Sequence, residues 1–122
     1  MSLETHCLTE GVAVISLSGE LNTESLREFK EEVRSLGDAI QTVVVDCREL
    51  GRISSSGLAA LIWTRSKVKV RGGKIYLTHV STVISELLAI TTLSSILSIV
   101  PTTREALVRL GKIRRPVSNR PR

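Results

Sequence analysis

Near the start of the chain, the apolar residues form short runs that include β-branched residues, and such runs are typical of strands. Two extended segments, from Leu3 to Leu8 and from Val12 to Leu17, are separated by only three residues that include Gly11. A connection this short predicts an antiparallel hairpin. The second segment is nearly all apolar, so it is expected to be the more buried of the two strands.

The next apolar positions recur every three or four residues, which is the spacing of one helix face. Asn22 or Thr23 is placed to cap the first amide groups of this helix, and Gly37 is placed to end it. The opposite face is charged and is expected to be solvated, with ion pairs along the helix. The apolar positions are Leu26, Phe29, Val33 and Leu36.

The centre of the chain predicts a strand, a polar loop, a helix and a second strand. The first strand covers Thr42 to Cys47 and is almost wholly apolar, which is typical of a strand buried on both faces. The helix is expected to begin at Ser55 or Ser56 and to end near Val70, before two glycines. The second strand covers Lys74 to Thr78, and this order predicts a right-handed crossover between parallel neighbours. The apolar stripe of the helix is Leu58, Leu61, Ile62 and Val68.

Two further helices and a strand are expected in the last third of the chain. Ser81 is placed to cap the first helix. The segment from Ile96 to Val100 is strand-like. Thr102 and Glu105 form the capping-box sequence that starts the last helix, and Gly111 ends it. The helix after Ser81 has Val83, Leu87 and Ile90 on one side, with Ile84 and Leu88 beside them.

The predicted order of elements, β-β-α-β-α-β-α-β-α, indicates the α/β class. We expect a mixed, mostly parallel sheet of about five strands, with an N-terminal hairpin and about four helices packed against it. The chain has 122 residues, of which 42% are hydrophobic, and this fits one domain over residues 1–111. Residues 112–122 are basic, contain proline and are expected to form a disordered tail.

The charge distribution argues against a nucleic-acid partner. The net charge is +5, but five of the seventeen basic residues lie beyond Leu110, which leaves twelve basic residues against twelve acidic ones before it. Only 2% of the residues are aromatic, so platforms for base stacking are scarce. No apolar run reaches the roughly 18 residues of a membrane helix and no basic leader is present, so we expect a cytoplasmic protein without a membrane span.

Cysteine and histidine placement gives little support for redox or metal chemistry. Cys7 and Cys47 each lie within a strand-like run, where a small buried thiol is a more ordinary interpretation than a disulfide. His6 has no partner at ligand spacing, so no metal site is expected. The glycine-rich nucleotide-binding loops are missing from the sequence, and no cofactor is predicted.

Three consecutive serines, Ser54, Ser55 and Ser56, stand where the central loop meets the central helix. A polar loop that leads from a buried strand into a helix N-terminus is the usual ligand-facing edge of an open α/β sheet. Spacing alone favours a simpler interpretation, in which the serines cap the helix and satisfy loop amide groups. On the residues alone, a structural role is therefore the better explanation.

With VVVD before it and RGGKIYL after it, the segment SSSGL at 54–58 resembles the STAS family of anti-sigma factor antagonists and related domains of sulphate transporters. The resemblance extends from the hairpin through GEL at 19–21 to the final capped helix, and it implies the STAS fold. In that family the segment typically reads Asp-Ser-Ser-Gly-Leu, and the first serine is phosphorylated. By position this implies Ser55, with Ser54 or Ser56 as second choices. Ser54 replaces the family's Asp, and Asn22 stands where many relatives have Asp.

The resemblance implies a protein-binding switch and not an enzyme. The unphosphorylated domain would bind an anti-sigma factor that has serine kinase activity, and a serine phosphatase would restore binding after phosphorylation. Gly57 is expected to allow a partner's backbone to approach closely, since it has no side chain. The implied partner-binding residues are Asn22, Ser54, Ser55, Ser56, Gly57 and Leu58.

Two other functions compete with this one. A STAS domain could instead be a scaffold subunit that docks on a transporter ATPase or a larger signalling complex. A remote alternative is a small serine hydrolase, because Ser55 and His79 are expected at the same sheet edge. The loop lacks the Gly-x-Ser-x-Gly frame, however, and Asp46 precedes the serine instead of following it, which argues against a hydrolase.

Overall fold

The computed structural model describes residues 2–114, and it confirms the predicted order of strands and helices. A single turn of 3-10 helix, Leu93–Ser95, is the one addition within this range. The elements are β1 (Ser2–Thr9), β2 (Val12–Leu21), α1 (Leu26–Ser35), β3 (Thr42–Ile53), α2 (Ser55–Val70), β4 (Ile75–Thr78), α3 (Thr82–Ile90), β5 (Ser98–Val100) and α4 (Thr103–Arg109).

The five strands form one mixed sheet in which spatial order follows chain order, β1-β2-β3-β4-β5. The first two strands pair antiparallel across the turn at Gly11, and each later pair is parallel. The predicted hairpin and the mostly parallel sheet are therefore confirmed. The burial of β2 exceeds that of the edge strand β1, as its apolar sequence predicts.

Side-chain alternation along the strands divides the core into two clusters, one on each face of the sheet. Val43 and Val45 of β3 belong to the larger cluster, whereas Val44 between them belongs to the smaller one. The larger cluster lies under α1, α2 and α3, and the smaller one lies under α4 through Ala106. The helical contributions to the larger cluster include Phe29, Leu61, Ile84 and Leu88.

The strand β3 is longer than its apolar run predicts, because it continues to Ile53 instead of ending at Cys47. Its second half pairs with the end of β2, where Leu21 lies opposite Ile53. Register shifts interrupt this pairing, and Leu50 points into the core with 3% exposure. The segment predicted as a loop is therefore a strand, and the serines follow it directly.

The first helix begins at Leu26, two or three residues later than a cap at Thr23 or Asn22 predicts. The N-cap residue is Ser25, which makes no side-chain cap bond, so neither Asn22 nor Thr23 caps the helix itself. The Oδ1 of Asn22 instead accepts hydrogen bonds from the backbone N of Glu24 and Ser25, before the helix, at 3.0 and 3.1 Å. The backbone O of Asn22 accepts the bond from the N of Leu26 at 2.8 Å. Asn22 thus organises a turn that leads into α1.

Of the two apolar rows on α3, only one is fully buried in the core. Ile84 and Leu88 are buried, whereas Val83 and Ile90 are 72% and 79% exposed. The predicted cap is confirmed, because the Ser81 hydroxyl accepts a hydrogen bond from the backbone N of Ile84 at 3.2 Å. In the outward row, Leu87 is half-buried against the larger core cluster, whereas Val83 and Ile90 face solvent.

The two cysteines are both free thiols, but only one of them is buried. Burial raises the pKa of the Cys47 thiol to about 12, with a smaller contribution from the negative charge of Asp46. Cys7 is exposed on the edge strand β1, so the expectation of a second buried thiol is wrong.

None of the helices in the described part of the chain combines the length and the apolar character that crossing a bilayer requires. Most of the predicted tail, residues 115–122, lies outside the described residues. Residues 112–114 are exposed after the end of α4.

Candidate partner-binding site

Ser54 is the N-cap residue of α2, and its polar groups are occupied by that role. Its backbone is extended, its hydroxyl accepts a hydrogen bond from the backbone N of Gly57 at 3.2 Å, and its carbonyl accepts one from the N of Leu58 at 2.9 Å. A serine in this position satisfies amide groups that the first turn of a helix leaves unpaired. The structural interpretation of the serines is therefore correct for Ser54.

The other two serines differ from Ser54 and from each other. The half-buried Ser56 shares a 2.9 Å hydrogen bond with the hydroxyl of Thr23, in the turn before α1. Ser55 is exposed as the first residue of α2, and within residues 2–114 its hydroxyl has no hydrogen-bond partner. Of the three hydroxyl groups, the one on Ser55 is open to a reagent from solution.

Gly57 is required by the packing of this chain against itself. A Cβ atom at this position would overlap the carbonyl O of Leu21 and would lie 2.8 Å from Cγ1 of Ile53. The same carbonyl O accepts a hydrogen bond from the backbone N of Ser54 at 2.9 Å, so it cannot easily move away. Within this chain, the close approach that Gly57 permits is to the end of β2. Leu58 is also mostly internal, with 8% exposure.

A groove of about 330 Å³ lies beside Ser54, between the ends of β2 and β3 and the helix α3. The outward row of α3 supplies apolar side chains to one wall, and an ion pair between Arg52 and Glu20 at 3.9 Å lies among its exposed residues. Sequence reasoning missed this groove, although the second apolar row of α3 is the signal that indicates it. The lining residues are Glu20, Gly51, Arg52, Ile53, Ser54, Val83, Ile84 and Leu87.

The turn organised by Asn22 lies next to the serines, because Thr23 contacts Ser56. The amide Nδ2 of Asn22 donates a hydrogen bond to Oε2 of Glu20 at 3.2 Å, and Glu20 also lines the groove. The structure therefore places Asn22, the three serines and the groove on one continuous surface.

His79 does not form a catalytic pair with Ser55. Its Nε2 accepts a hydrogen bond from Nη2 of Arg48 at 2.8 Å, and Oδ1 of Asp46 accepts one from the backbone N of Arg48 at 3.0 Å. A serine nucleophile needs a base within hydrogen-bond reach. The arrangement that the hydrolase alternative requires is not formed among the described residues.

Ser54→Ala is expected to lower the free energy of unfolding by about 1 kcal/mol, because the N-cap bond to the amide of Gly57 is lost. Ser55→Ala serves as the matched control and is expected to change it by less than about 0.5 kcal/mol, since that side chain is exposed and unpaired. Urea denaturation followed by circular dichroism measures both. Equal losses in the two variants would contradict the assignment of the cap to Ser54.

Comparison with known proteins supports the fold independently. The sequence profile of the STAS domain matches residues 8–106. The unphosphorylated form of the anti-sigma factor antagonist SpoIIAA, from Bacillus, superposes with a TM-score of 0.73 at 18% identity, covering 92% of this chain and 100% of SpoIIAA. The phosphorylated form of SpoIIAA gives a TM-score of 0.71 at 19% identity, covering 89% of this chain and 99% of that one.

Two further structures extend the comparison to other organisms. An anti-sigma factor antagonist of Mycobacterium paratuberculosis has a TM-score of 0.79 at 21% identity, covering 90% of this chain and 93% of its own. A sulfate transporter family protein of Wolinella succinogenes has a TM-score of 0.72 at 17% identity, covering 83% of this chain and 85% of its own. At these identities the likeness establishes a common fold.

Proposed function

The chain belongs to the STAS domain family, and on that basis we propose that it is an anti-sigma factor antagonist whose binding is switched by phosphorylation of Ser55. The unphosphorylated form binds an anti-sigma factor that is also a serine kinase, and a serine phosphatase reverses the modification. The observation that carries the proposal is the exposed, unpaired hydroxyl of Ser55 between two serines whose hydroxyls are engaged. It is a binding protein and not an enzyme, and its proposed partners act in the cytoplasm.

The start of α2 can accept a phosphate without loss of the fold. A phosphoserine adds a charge of about −1.5 to −2. At Ser55 this charge would face the positive end of the helix dipole, which stabilises an anion by about 0.3 to 1 kcal/mol. The first turn of α2 contains no acidic residue that would repel it. Ser54 continues to cap the helix through its hydroxyl where many relatives have a carboxylate, so no neighbouring negative charge is introduced there.

The groove beside Ser54 supports a partner-binding role for the same surface. Val83 is 72% exposed at its wall, and Leu87 and Ile53 line it with further apolar area. Burying such side chains against an apolar group of a partner contributes favourable free energy of binding. Because Ser54 lines the groove and Ser55 follows it, a partner seated there would cover the hydroxyl of Ser55. A phosphate at that position would then have to lose its hydration in the complex.

A scaffold subunit of a transporter ATPase or a larger signalling complex is the second candidate, and the likeness to the Wolinella transporter protein favours it. In that function the same surface would dock on a larger protein, and Ser55 would stay unmodified. The two functions differ in whether a kinase acts on the chain. The two functions can therefore be distinguished by measuring whether phosphate is incorporated into the chain.

Incubation with a candidate anti-sigma factor kinase and ATP is expected to add one phosphate to the wild-type protein, measured by intact mass. Ser55→Ala is expected to take up none, whereas Ser56→Ala and Ser54→Ala retain uptake because their hydroxyls are not the acceptor. Uptake that persists in Ser55→Ala and disappears in Ser54→Ala would move the site to Ser54. Stable binding of a transporter subunit with no phosphate uptake would support the scaffold instead.

A further inference from the structure

Three cationic side chains gather around Trp63, the only tryptophan of the chain. Lys30 Nζ and Arg34 Cζ, both from α1, lie 5.3 and 5.1 Å from the centroid of its ring, and Lys67 Nζ from α2 lies 5.4 Å from it. These distances are within the range of cation–π attraction. The ion pair expected along α1 is present between Arg27 and Glu31, whereas Lys30 and Arg34 of the same charged face contact Trp63.

In the part of the chain that the structure describes, none of the cations around Trp63 forms an ion pair with a carboxylate. Within residues 2–114 no Asp or Glu oxygen comes within 4 Å of Lys30, Arg34 or Lys67. By contrast, Arg27 on the same helix pairs with Glu31 at 3.4 Å. Since each of the three charges lies within 5.4 Å of one ring centroid, they are at most about 11 Å apart, which is close to the screening length in physiological salt. Their mutual repulsion would be relieved by an anion.

A small cavity of about 110 Å³ opens at the same place. Liquid water takes about 30 Å³ per molecule, so the cavity has room for a group of several heavy atoms. It is far below the roughly 300 Å³ of a typical site for a drug-sized ligand. Two of the cations that contact Trp63, Arg34 and Lys67, line this cavity together with a further cation, Arg71, and its lining contains no acid. The lining residues are Val33, Arg34, Trp63, Lys67 and Arg71.

We propose that this cavity, called here the Trp63 cavity, binds the phosphate group of a small soluble anion such as inorganic phosphate or pyrophosphate. The guanidinium of Arg34 offers paired donors that match phosphate oxygens, and Lys67 adds a compact point charge. A tetrahedral anion with more than one negative charge fits several convergent cations better than a carboxylate, which carries only one. Arg71 contributes less, because its guanidinium already bonds to the carbonyl O of Gly37 and pairs with Asp38 at 3.4 Å.

The Trp63 cavity is separate from the proposed switch. Trp63 follows Ser55 by eight residues on α2, which places it about 12 Å further along the helix, and Lys67 is another turn beyond. The proposal therefore does not depend on phosphorylation of Ser55, and either one can fail without the other.

Titration of the full chain with inorganic phosphate and with pyrophosphate, followed by Trp63 fluorescence, tests the proposal. A saturable change in emission is expected with at least one of the two, beyond the change caused by sodium chloride at equal ionic strength. Arg34→Gln and Lys67→Gln are each expected to weaken binding by about tenfold or more. Arg27→Gln is the matched control on α1 and is expected to bind as the wild type does.

An emission change equal to that in sodium chloride would overturn the proposal. So would saturable binding that is unchanged in the Arg34→Gln, Lys67→Gln double variant, with circular dichroism showing that the variant is folded. If the variants unfold more easily in urea and the wild type responds to neither anion, the cations only hold α1 against α2 and the proposal is wrong. Binding only to vesicles that contain phosphatidic acid would contradict the proposal that the phosphate group belongs to a small soluble anion, because the ligand would then be a lipid headgroup.

Discussion

If the proposed switch is correct, phosphorylation of Ser55 is expected to weaken binding of the proposed anti-sigma factor partner by about 100- to 1000-fold, while the melting temperature of the isolated domain stays nearly unchanged. The two effects separate because the phosphate is solvated at an exposed helix N-terminus in the free protein and must be desolvated in the complex. A desolvation cost of several kcal/mol corresponds to this loss, since each 1.4 kcal/mol is tenfold. Isothermal titration calorimetry of the purified phosphorylated and unmodified forms measures the ratio.

Variants of the same residue supply the controls for this experiment. Ser55→Ala is expected to bind as the unmodified protein does, because the Ser55 hydroxyl makes no bond within the described residues that the alanine would lose. Ser55→Asp is expected to bind with intermediate affinity, since it carries one charge instead of nearly two. A phosphorylated form that loses its near-ultraviolet circular dichroism together with its affinity would contradict the proposed mechanism, because the loss would then come from unfolding.

Gly73→Ala is expected to lower the free energy of unfolding by about 3 kcal/mol or more, which is at the upper end for overpacking. A Cβ atom on Gly73 would overlap the backbone carbonyl of Gln41. That backbone is fixed on both sides, since the N of Gln41 donates to Gly11 O at 2.9 Å and the N of Val43 donates to Lys74 O at 3.0 Å. The position of a Cβ atom is fixed by its own backbone, so no side-chain rotation can relieve its overlap with the carbonyl of Gln41. The starts of β3 and β4 therefore have to separate. Urea denaturation measures the loss.

Gly51→Ala is the matched control for this substitution. A Cβ atom on Gly51 would meet only the carbonyl O of Gly19, at an ordinary contact distance of 3.6 Å. Its free energy of unfolding is expected to change by no more than about 0.5 kcal/mol. If the two alanine variants were equally stable, the tight contact between Gly73 and Gln41 would not be present in the folded protein.

The parts of the fold that follow from short-range patterns could be predicted from the sequence. The hairpin and the caps at Ser81 and Thr102 depend on residues close together in the chain, and the parallel crossover follows from the order of two apolar strands around a helix; all are confirmed. The second half of β3 could not be predicted in this way. Half of its residues are charged and one is glycine, and they become a strand because the end of β2 provides backbone partners about thirty residues away.

The candidate site follows the same division. The position of the serines at the start of a helix is evident in the sequence, but their different environments depend on distant residues. The hydroxyl of Ser56 is hydrogen-bonded to that of Thr23, and position 57 has no room for a side chain because the carbonyl O of Leu21 lies against it. Two of the three cations at Trp63, Lys30 and Arg34, likewise come from another helix, α1. Such contacts are decided by tertiary packing, which no local pattern reports.

The agreement between spatial and chain order in the sheet bears on how this protein is made. Every strand after the first pairs with the strand synthesised just before it. A nascent chain leaving the ribosome can therefore extend its sheet one strand at a time. Each new strand can pair at once with the strand before it, so no strand stays unpaired until a distant segment is synthesised. Only α4 is added at the end, and its arrival closes the second face of the core around Val44 and Tyr76. The topology therefore permits the sheet to form in the order β1 to β5 as the chain is synthesised.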